Sequence, residues 1–278
     1  MKDFEKAIEW YEKGANAGNS NAMVNLGVLY ENEMKDLEKA IEWYENGAKV
    51  GNSNAMSNLG LVYKTEMKDF EKAIEWYEKG ANAGNSGAMY NLGFLYANEM
   101  KDFEKAIEWY KKGANAGNAT AMFNLGVLYV NEMKDLEKAI EWYEKGANAG
   151  NSNAMVNLGV LYVNEMKNLE KAFEWFEKGA NAGNSDAMLN LGILYEKETK
   201  DFEKANEWFE KGANAGNSDA MFNLGLLYQK EIKNLEKAIE WYEKGANIGN
   251  SNAMVNCIFR SKLSHCSGQT EPPPNSHF

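Results

Sequence analysis

Apolar residues along the chain fall into two alternating stretches of helical spacing. In residues 20–30, Met23, Leu26, Gly27 and Tyr30 recur at intervals of three and four, and the stretch opens on Asn19 and Ser20, residue types that cap helix N-termini. This predicts a first helix, A. In residues 36–48, Leu37, Ala40, Ile41, Trp43 and Tyr44 repeat the spacing behind an Asp36 cap, with Glu38 suiting the positive end of the helix dipole. This second helix, B, runs to Gly47-Ala48 and is predicted to end near Gly51, where left-handed backbone costs a glycine little. The whole pattern then recurs with a period of 33: the segment beginning at Met1 returns at Met34, Met67, Met100, Met133 and Met166, then with Thr199 and Ile232 in the Met position. All eight Trp occupy one repeat position and all 14 Met occupy two. A period of this size means stacked supersecondary units that cannot bury their apolar faces alone, so the chain reads as one all-α array over 1–256 rather than as two domains.

Within a unit, Ala22, Gly27, Ala40 and Gly47 are expected to let A and B approach closely, with Met23, Leu26, Tyr30, Trp43 and Tyr44 filling the space between them. The Trp set and both Met sets read as core, because eight copies in register serve packing rather than chemistry. With no proline before residue 272, every helix break is expected to rest on Gly, Asn and Asp.

Composition narrows the function. Both His, both Cys, all three Pro and the only Arg lie in residues 257–278, so the array holds no His or Cys for catalysis, metal binding or disulfides. In the tail, the spacing of Cys257, His265, Cys266 and His277 fits no compact zinc site. The GANAGNS segments lack the Gly-Lys-Ser/Thr of a phosphate loop. No catalytic residue, metal or cofactor is expected. A net charge of −11 disfavours nucleic acid, and no apolar run suits membrane insertion or a signal peptide, which points to a cytoplasmic protein. Pairs such as Glu9 and Lys13 are ordinary solvated-face supports. The sequon Asn118-Ala119-Thr120 is read as coincidental.

The motif A-M-x-N-L-G-x-L-Y followed by D-x-E-K-A-x-E-W-Y-E-K-G-A (Leu26, Gly27, Tyr30; Lys39, Ala40, Trp43, Tyr44) resembles the Sel1-like repeat, a relative of the tetratricopeptide repeat. The resemblance covers residues 1–256 and implies a right-handed α/α solenoid of about eight 33-residue two-helix repeats. It further implies a non-catalytic scaffold or adaptor that gathers a protein partner on a concave groove lined by the A helices. The repeat departs from the family in lacking a glycine-containing turn between A and B, and in carrying Gly47 where Ala is common, which is expected to weaken helix B slightly. Cysteine-rich relatives linked to β-lactam chemistry offer no parallel, since the array has no Cys and no Ser-x-x-Lys.

Eight copies allow comparison within the chain. Three positions vary on one face of helix A: Val24, Ser57, Tyr90, Phe123, Val156, Leu189, Phe222 and Val255; then Val28, Leu61, Phe94, Val127, Val160, Ile193 and Leu226; then Glu31, Lys64, Ala97, Val130, Val163, Glu196 and Gln229. Asn25 and its equivalents, including Asn91, Asn124, Asn157 and Asn190, never vary. The expected groove residues are Tyr90, Asn91, Phe94, Phe123, Asn124, Val127, Val156, Asn157, Val160, Leu189, Asn190 and Phe222. They suit a peptide or amphipathic helix with apolar anchors. The competing reading makes the stripe A-to-A packing and has each Asn bond a helix carbonyl in the stack. No Lys or Arg accompanies Asn on the central repeats, so capture of an acidic chain end is disfavoured there.

The array opens in mid-repeat, on a helix B, as a fragment of a longer array would. Residues 257–278 are expected to be a divergent, partly disordered tail, either a degenerate cap or a misread end. The chain is expected to be a monomer or to self-associate weakly through exposed repeat ends. The alternative function is a regulatory repeat region of a larger multidomain enzyme or signalling protein.

Overall fold

The computed structural model describes residues 2–257; the tail set apart in the sequence lies outside the described residues except for Cys257. Among the described residues the chain is helical without strands, and its contacts group it into two compact units, Met1–Asn151 and Ser152–Phe278. The first unit holds α1 (Lys2–Asn16), α2 (Ser20–Leu29), α3 (Leu37–Lys49), α4 (Ser53–Thr65), α5 (Phe70–Asn82), α6 (Ser86–Leu95), α7 (Phe103–Asn115), α8 (Ala119–Asn131) and α9 (Leu136–Asn148). The second holds α10 (Ser152–Asn164), α11 (Leu169–Asn181), α12 (Ser185–Leu194), α13 (Phe202–Asn214), α14 (Ser218–Leu227) and α15 (Leu235–Asn247), followed by helical residues 251–257. Even-numbered helices are A helices and odd-numbered ones are B helices. The fold is the expected all-α solenoid of two-helix repeats.

Helix A is apolar on most of its faces because, within a unit, it packs against the B helices before and after it. Helix B is amphipathic. It buries Ala40, Tyr44, Gly47 and Ala48 in α3 and sends Glu and Lys to water, where Lys13 and Glu9 pair at 2.6 Å. Gly47 is no weakness here: a Cβ on it would stand 3.0 Å from that of Ala55 in the next repeat's A helix, so the glycine is what lets α3 and α4 close up.

The B-to-A turn follows the sequence reading. Gly51 takes φ 87°, and the Asn52 amide closes back onto the Gly47 carbonyl at 3.0 Å. Asn52 then caps α4, its Oδ1 accepting from the amides of Asn54 and Ala55 at 3.0 and 3.2 Å. The same side chain has a second task that sequence reading missed. Its Nδ2 reaches one repeat back to Ser20 Oγ and Asn21 Oδ1, at 3.0 and 3.1 Å. Asn85 makes the same reach to Asn54, Asn118 to the Ser86 carbonyl, Asn184 to Ser152 and Asn153, and Asn217 to Asp186. Asn118, the sequon residue, has its amide nitrogen committed in this way.

The A-to-B turn departs from expectation. Seven lysines, Lys35, Lys68, Lys101, Lys134, Lys167, Lys200 and Lys233, adopt left-handed backbone with φ between 52° and 59°. Helix A first widens, in four repeats into a π-helical turn such as Tyr96–Met100, and the Asp102 amide then bonds the Tyr96 carbonyl at 2.9 Å. Lysine thus occupies the place of the missing glycine, and the break does not rest on Gly, Asn and Asp alone.

The core assignment also needs correcting. Met23 and its equivalents pack inward or partly so, except Met254. Met34, Met67, Met100, Met133 and Met166 are instead 37–52% exposed, because they lie in the A-to-B turn before helix B begins and nothing covers them. Most Trp are half-buried at the edge of the core, turned along helix B from the buried Tyr44 position, and Trp10 is 69% exposed. A lysine ammonium three residues on covers the ring, as Lys79 does at 3.9 Å from Trp76.

Candidate functional site

From residue 20 on, each complete repeat builds the same floor beneath its A-helix face. The B-helix aromatic at the Tyr44 position is buried, and its ring lies flat on the A-helix glycine of its own repeat. A Cβ on Gly159 would fall 2.5 Å from the Phe176 ring, which explains why Gly27 and its equivalents admit no side chain. Laid flat in this way, the ring carries its hydroxyl to the variable outer stripe of helix A. Tyr44 Oη donates to Glu31 Oε2 at 2.7 Å, and Tyr242 Oη donates to Gln229 Oε1 at 2.8 Å. Burial pushes the Tyr44, Tyr77 and Tyr110 hydroxyls well above the ordinary tyrosine range, so they act only as hydrogen-bonding groups at neutral pH.

Above this floor, cavities recur in repeat register. In the first unit, a cavity of about 170 Å³ is lined by Ala97, Phe103, Tyr110, Val127 and Leu128 and by the polar Asn98, Lys101, Asn124, Asn131 and Glu132. A second, of about 230 Å³, sits at the matching positions three repeats earlier: Tyr11, Asn25, Val28, Leu29, Asn32 and Glu33. In the second unit, a cavity of about 360 Å³ has Val163, Phe176, Asn190, Ile193 and Leu194 at those positions, with Val160, Lys197 and Glu198. Each is a niche between an aromatic floor and the next A helix. A niche of this size takes an apolar side chain, with an amide at hand for a polar neighbour.

The expected groove residues divide between two roles. Asn124 and Val127 line the first-unit cavity, and Val160 and Asn190 the second-unit one. Tyr90, Phe123 and Phe222 do not line them. Half-buried, they pack on the floor tyrosines of their own repeats, with ring centroids 5.9, 5.8 and 5.9 Å from Tyr110, Tyr143 and Tyr242. Phe94 is half-buried beside Tyr90, at 6.2 Å, and Leu189 packs on the core of the second unit. Asn91, Val156 and Asn157 lie half-buried along the same faces and line none of these three cavities. In four copies, Asn124, Asn190, Asn223 and Asn256, the invariant Asn bonds a carbonyl of its own helix rather than one of a neighbouring helix. Asn124 Nδ2 donates to the Thr120 carbonyl of its own helix at 2.9 Å, and Asn190 does the same to Asp186 at 2.7 Å, which leaves one N–H and the amide oxygen on each. Sequence reading missed the floor aromatics Tyr11, Tyr110 and Phe176. The signal was present, since a glycine in every A helix and a flat ring in every B helix are two halves of one contact.

A family model for the Sel1 repeat matches the chain in eight consecutive segments, residues 1–19, 20–52, 53–85, 86–118, 119–151, 152–184, 185–217 and 218–250. The chain belongs to the Sel1 repeat family. Repeats of this kind generally mediate protein–protein interaction. Among solved structures, this Sel1 repeat chain is similar to a protective antigen of uropathogenic Escherichia coli with an SLR fold: TM-score 0.69, 29% identity, over 92% of this chain and 60% of the antigen. It thus spans less than two thirds of that relative's length. It is also similar to a Sel1 repeat protein of Oxalobacter formigenes, with TM-score 0.61 and 28% identity, over 80% of this chain and 96% of that one. Yeast Tom70, at 13% identity and TM-score 0.58 over 96% of this chain and 60% of its own, shares the fold alone. Among curated proteins, none matches the chain. No described helix is long and apolar enough to cross a membrane.

Proposed function

We propose that this Sel1 repeat chain is a non-catalytic adaptor that binds a peptide or an amphipathic helix of a partner protein on its A-helix face, within each unit, by seating apolar side chains in the recurring niches. The observation that carries the reading is the register of the cavities: the same repeat positions line a niche at Tyr11, at Tyr110 and at Phe176. A repeated unit repeats its niche, and what favours a ligand there is that the variable residues Val127 and Ile193 line it. Apolar side chains such as Leu or Phe fit the floor, and the leftover amide groups of Asn124 and Asn190 suit a peptide backbone. The groove residues inferred from sequence then act in two ways, with Asn124, Val127, Val160 and Asn190 touching the ligand and Tyr90, Phe123 and Phe222 holding the floor in place.

Selection of random 12-residue peptides on the intact chain tests this. Peptides rich in Leu, Phe or Trp are expected, and a Val127→Glu, Ile193→Glu variant is expected to lose them while keeping its helical circular dichroism. Undiminished binding to that variant, or no enrichment of apolar residues, refutes the reading.

A further inference from the structure

Of the complete repeats, the first (residues 20–52) carries Glu31 on the outer stripe and the second (residues 53–85) carries Lys64, the one basic residue at that position. In the first repeat, the buried Tyr44 hydroxyl donates to the Glu31 carboxylate at 2.7 Å and is also met by the Asn58 amide. In the second repeat, register puts Lys64 in place of Glu31 and Asn91 in place of Asn58, around Tyr77. Tyr77 is 0% exposed, and its hydroxyl has no hydrogen-bond partner. A buried donor left unmade costs about 1–3 kcal/mol, so its persistence asks for an explanation. Lys64 cannot relieve it, because an ammonium accepts no hydrogen bond. Its Nζ lies instead 4.2 Å from the centre of the Phe94 ring, in a setting where burial lowers its pKa. Glu99 attracts this ammonium from the next repeat's A-to-B turn and Lys68 repels it, yet among the described residues no carboxylate closes on it as an ion pair.

We propose that Lys64, Tyr77 and Asn91 form a subsite for a carboxylate brought by the ligand. The first repeat supplies the template. There the carboxylate belongs to the chain and sits within hydrogen-bond distance of the tyrosine hydroxyl. In the second repeat the matching sequence position is Lys64, whose ammonium lies over Phe94, so a carboxylate brought to the Tyr77 hydroxyl would give Tyr77 its acceptor and Lys64 a counter-ion together. Leu61, 41% exposed and one turn before Lys64 on α4, and Phe94, under the Lys64 ammonium, suit an apolar neighbour of the acid. The subsite lies one repeat before the Tyr110 niche. The proposal takes from the groove reading only its placement on the A-helix face.

Short probes test it: acetyl-phenylalanine with a free carboxylate, acetyl-Phe-Glu-amide, and the neutral acetyl-Phe-amide and acetyl-Phe-Gln-amide, titrated against the intact chain by NMR. At least one acid is expected to bind about ten-fold tighter than its neutral counterpart, and which of the two does so distinguishes a chain end from an acidic side chain. Lys64→Met is expected to erase the preference and Lys64→Arg to keep it. Tyr77→Phe is expected to cut the preference several-fold while leaving the melting temperature equal or higher, which a purely structural tyrosine would not do. Equal binding of acid and neutral probes, no saturable binding of either acid in the millimolar range, or a preference that survives Lys64→Met overturns the subsite. Peptide selection reads Val127 and Ile193 instead, so either proposal can fail while the other stands.

Discussion

Glu31 and Glu196 occupy the same repeat position and meet different partners. Glu31 accepts from the Tyr44 hydroxyl. At Glu196 the floor residue is Phe209, which has no hydroxyl to give, and burial raises the Glu196 pKa. A carboxyl whose pKa is raised by folding holds its proton in the folded state at a pH where the unfolded chain has lost it. It therefore costs stability as pH rises through the folded value. Glu196→Gln, neutral and nearly isosteric, is expected to raise the melting temperature at neutral pH and to change nothing near about pH 4, where both forms are uncharged. An equal effect at both pH values would assign it to packing instead. Comparing the copies was enough to find this stripe, because its side chains vary while the rest of the unit stays fixed. The hydroxyl network beneath was hidden, because it joins residues 13 apart in sequence across two helices, as Tyr44 does with Glu31.

At the scale of helices and turns, most of the architecture was legible. Asn19 and Asp36 cap where read, and Gly51 turns where read. The A-to-B turn was not, because no residue type advertises a left-handed lysine. Left-handed backbone costs an L-residue roughly 1–2 kcal/mol, so Lys101→Gly is expected to stabilise the chain by about 1 kcal/mol after the glycine's extra freedom in the unfolded state is charged against it. A denaturant midpoint unchanged or lowered would contradict the strain. The inter-repeat reach of the cap asparagines was likewise invisible, since capping alone explains the residue type. Asn85→Asp keeps the cap on α6 and loses the 2.8 Å bond to Asn54. It is expected to cost about 1 kcal/mol, with Asn85→Ala costing more through the lost cap. Equal losses for the two variants would mean that the reach to the previous repeat contributes nothing.

Across the molecule, a net charge of −11 is shared between the B helices and the A-to-B turns, and the A-helix niches keep an aromatic floor. The fold was legible because one unit was written eight times. The site was legible only as a face, since its depth depends on Gly159 and Phe176 meeting across two helices. The most direct measurement is a crystal structure of the intact chain with one of its selected peptides. The account predicts a Leu, Phe or Trp side chain of the peptide seated over Tyr110 beside Val127, or over Phe176 beside Ile193. A peptide lying instead on the outer faces of the B helices, against Trp109 or Trp208, with both niches empty, would contradict it.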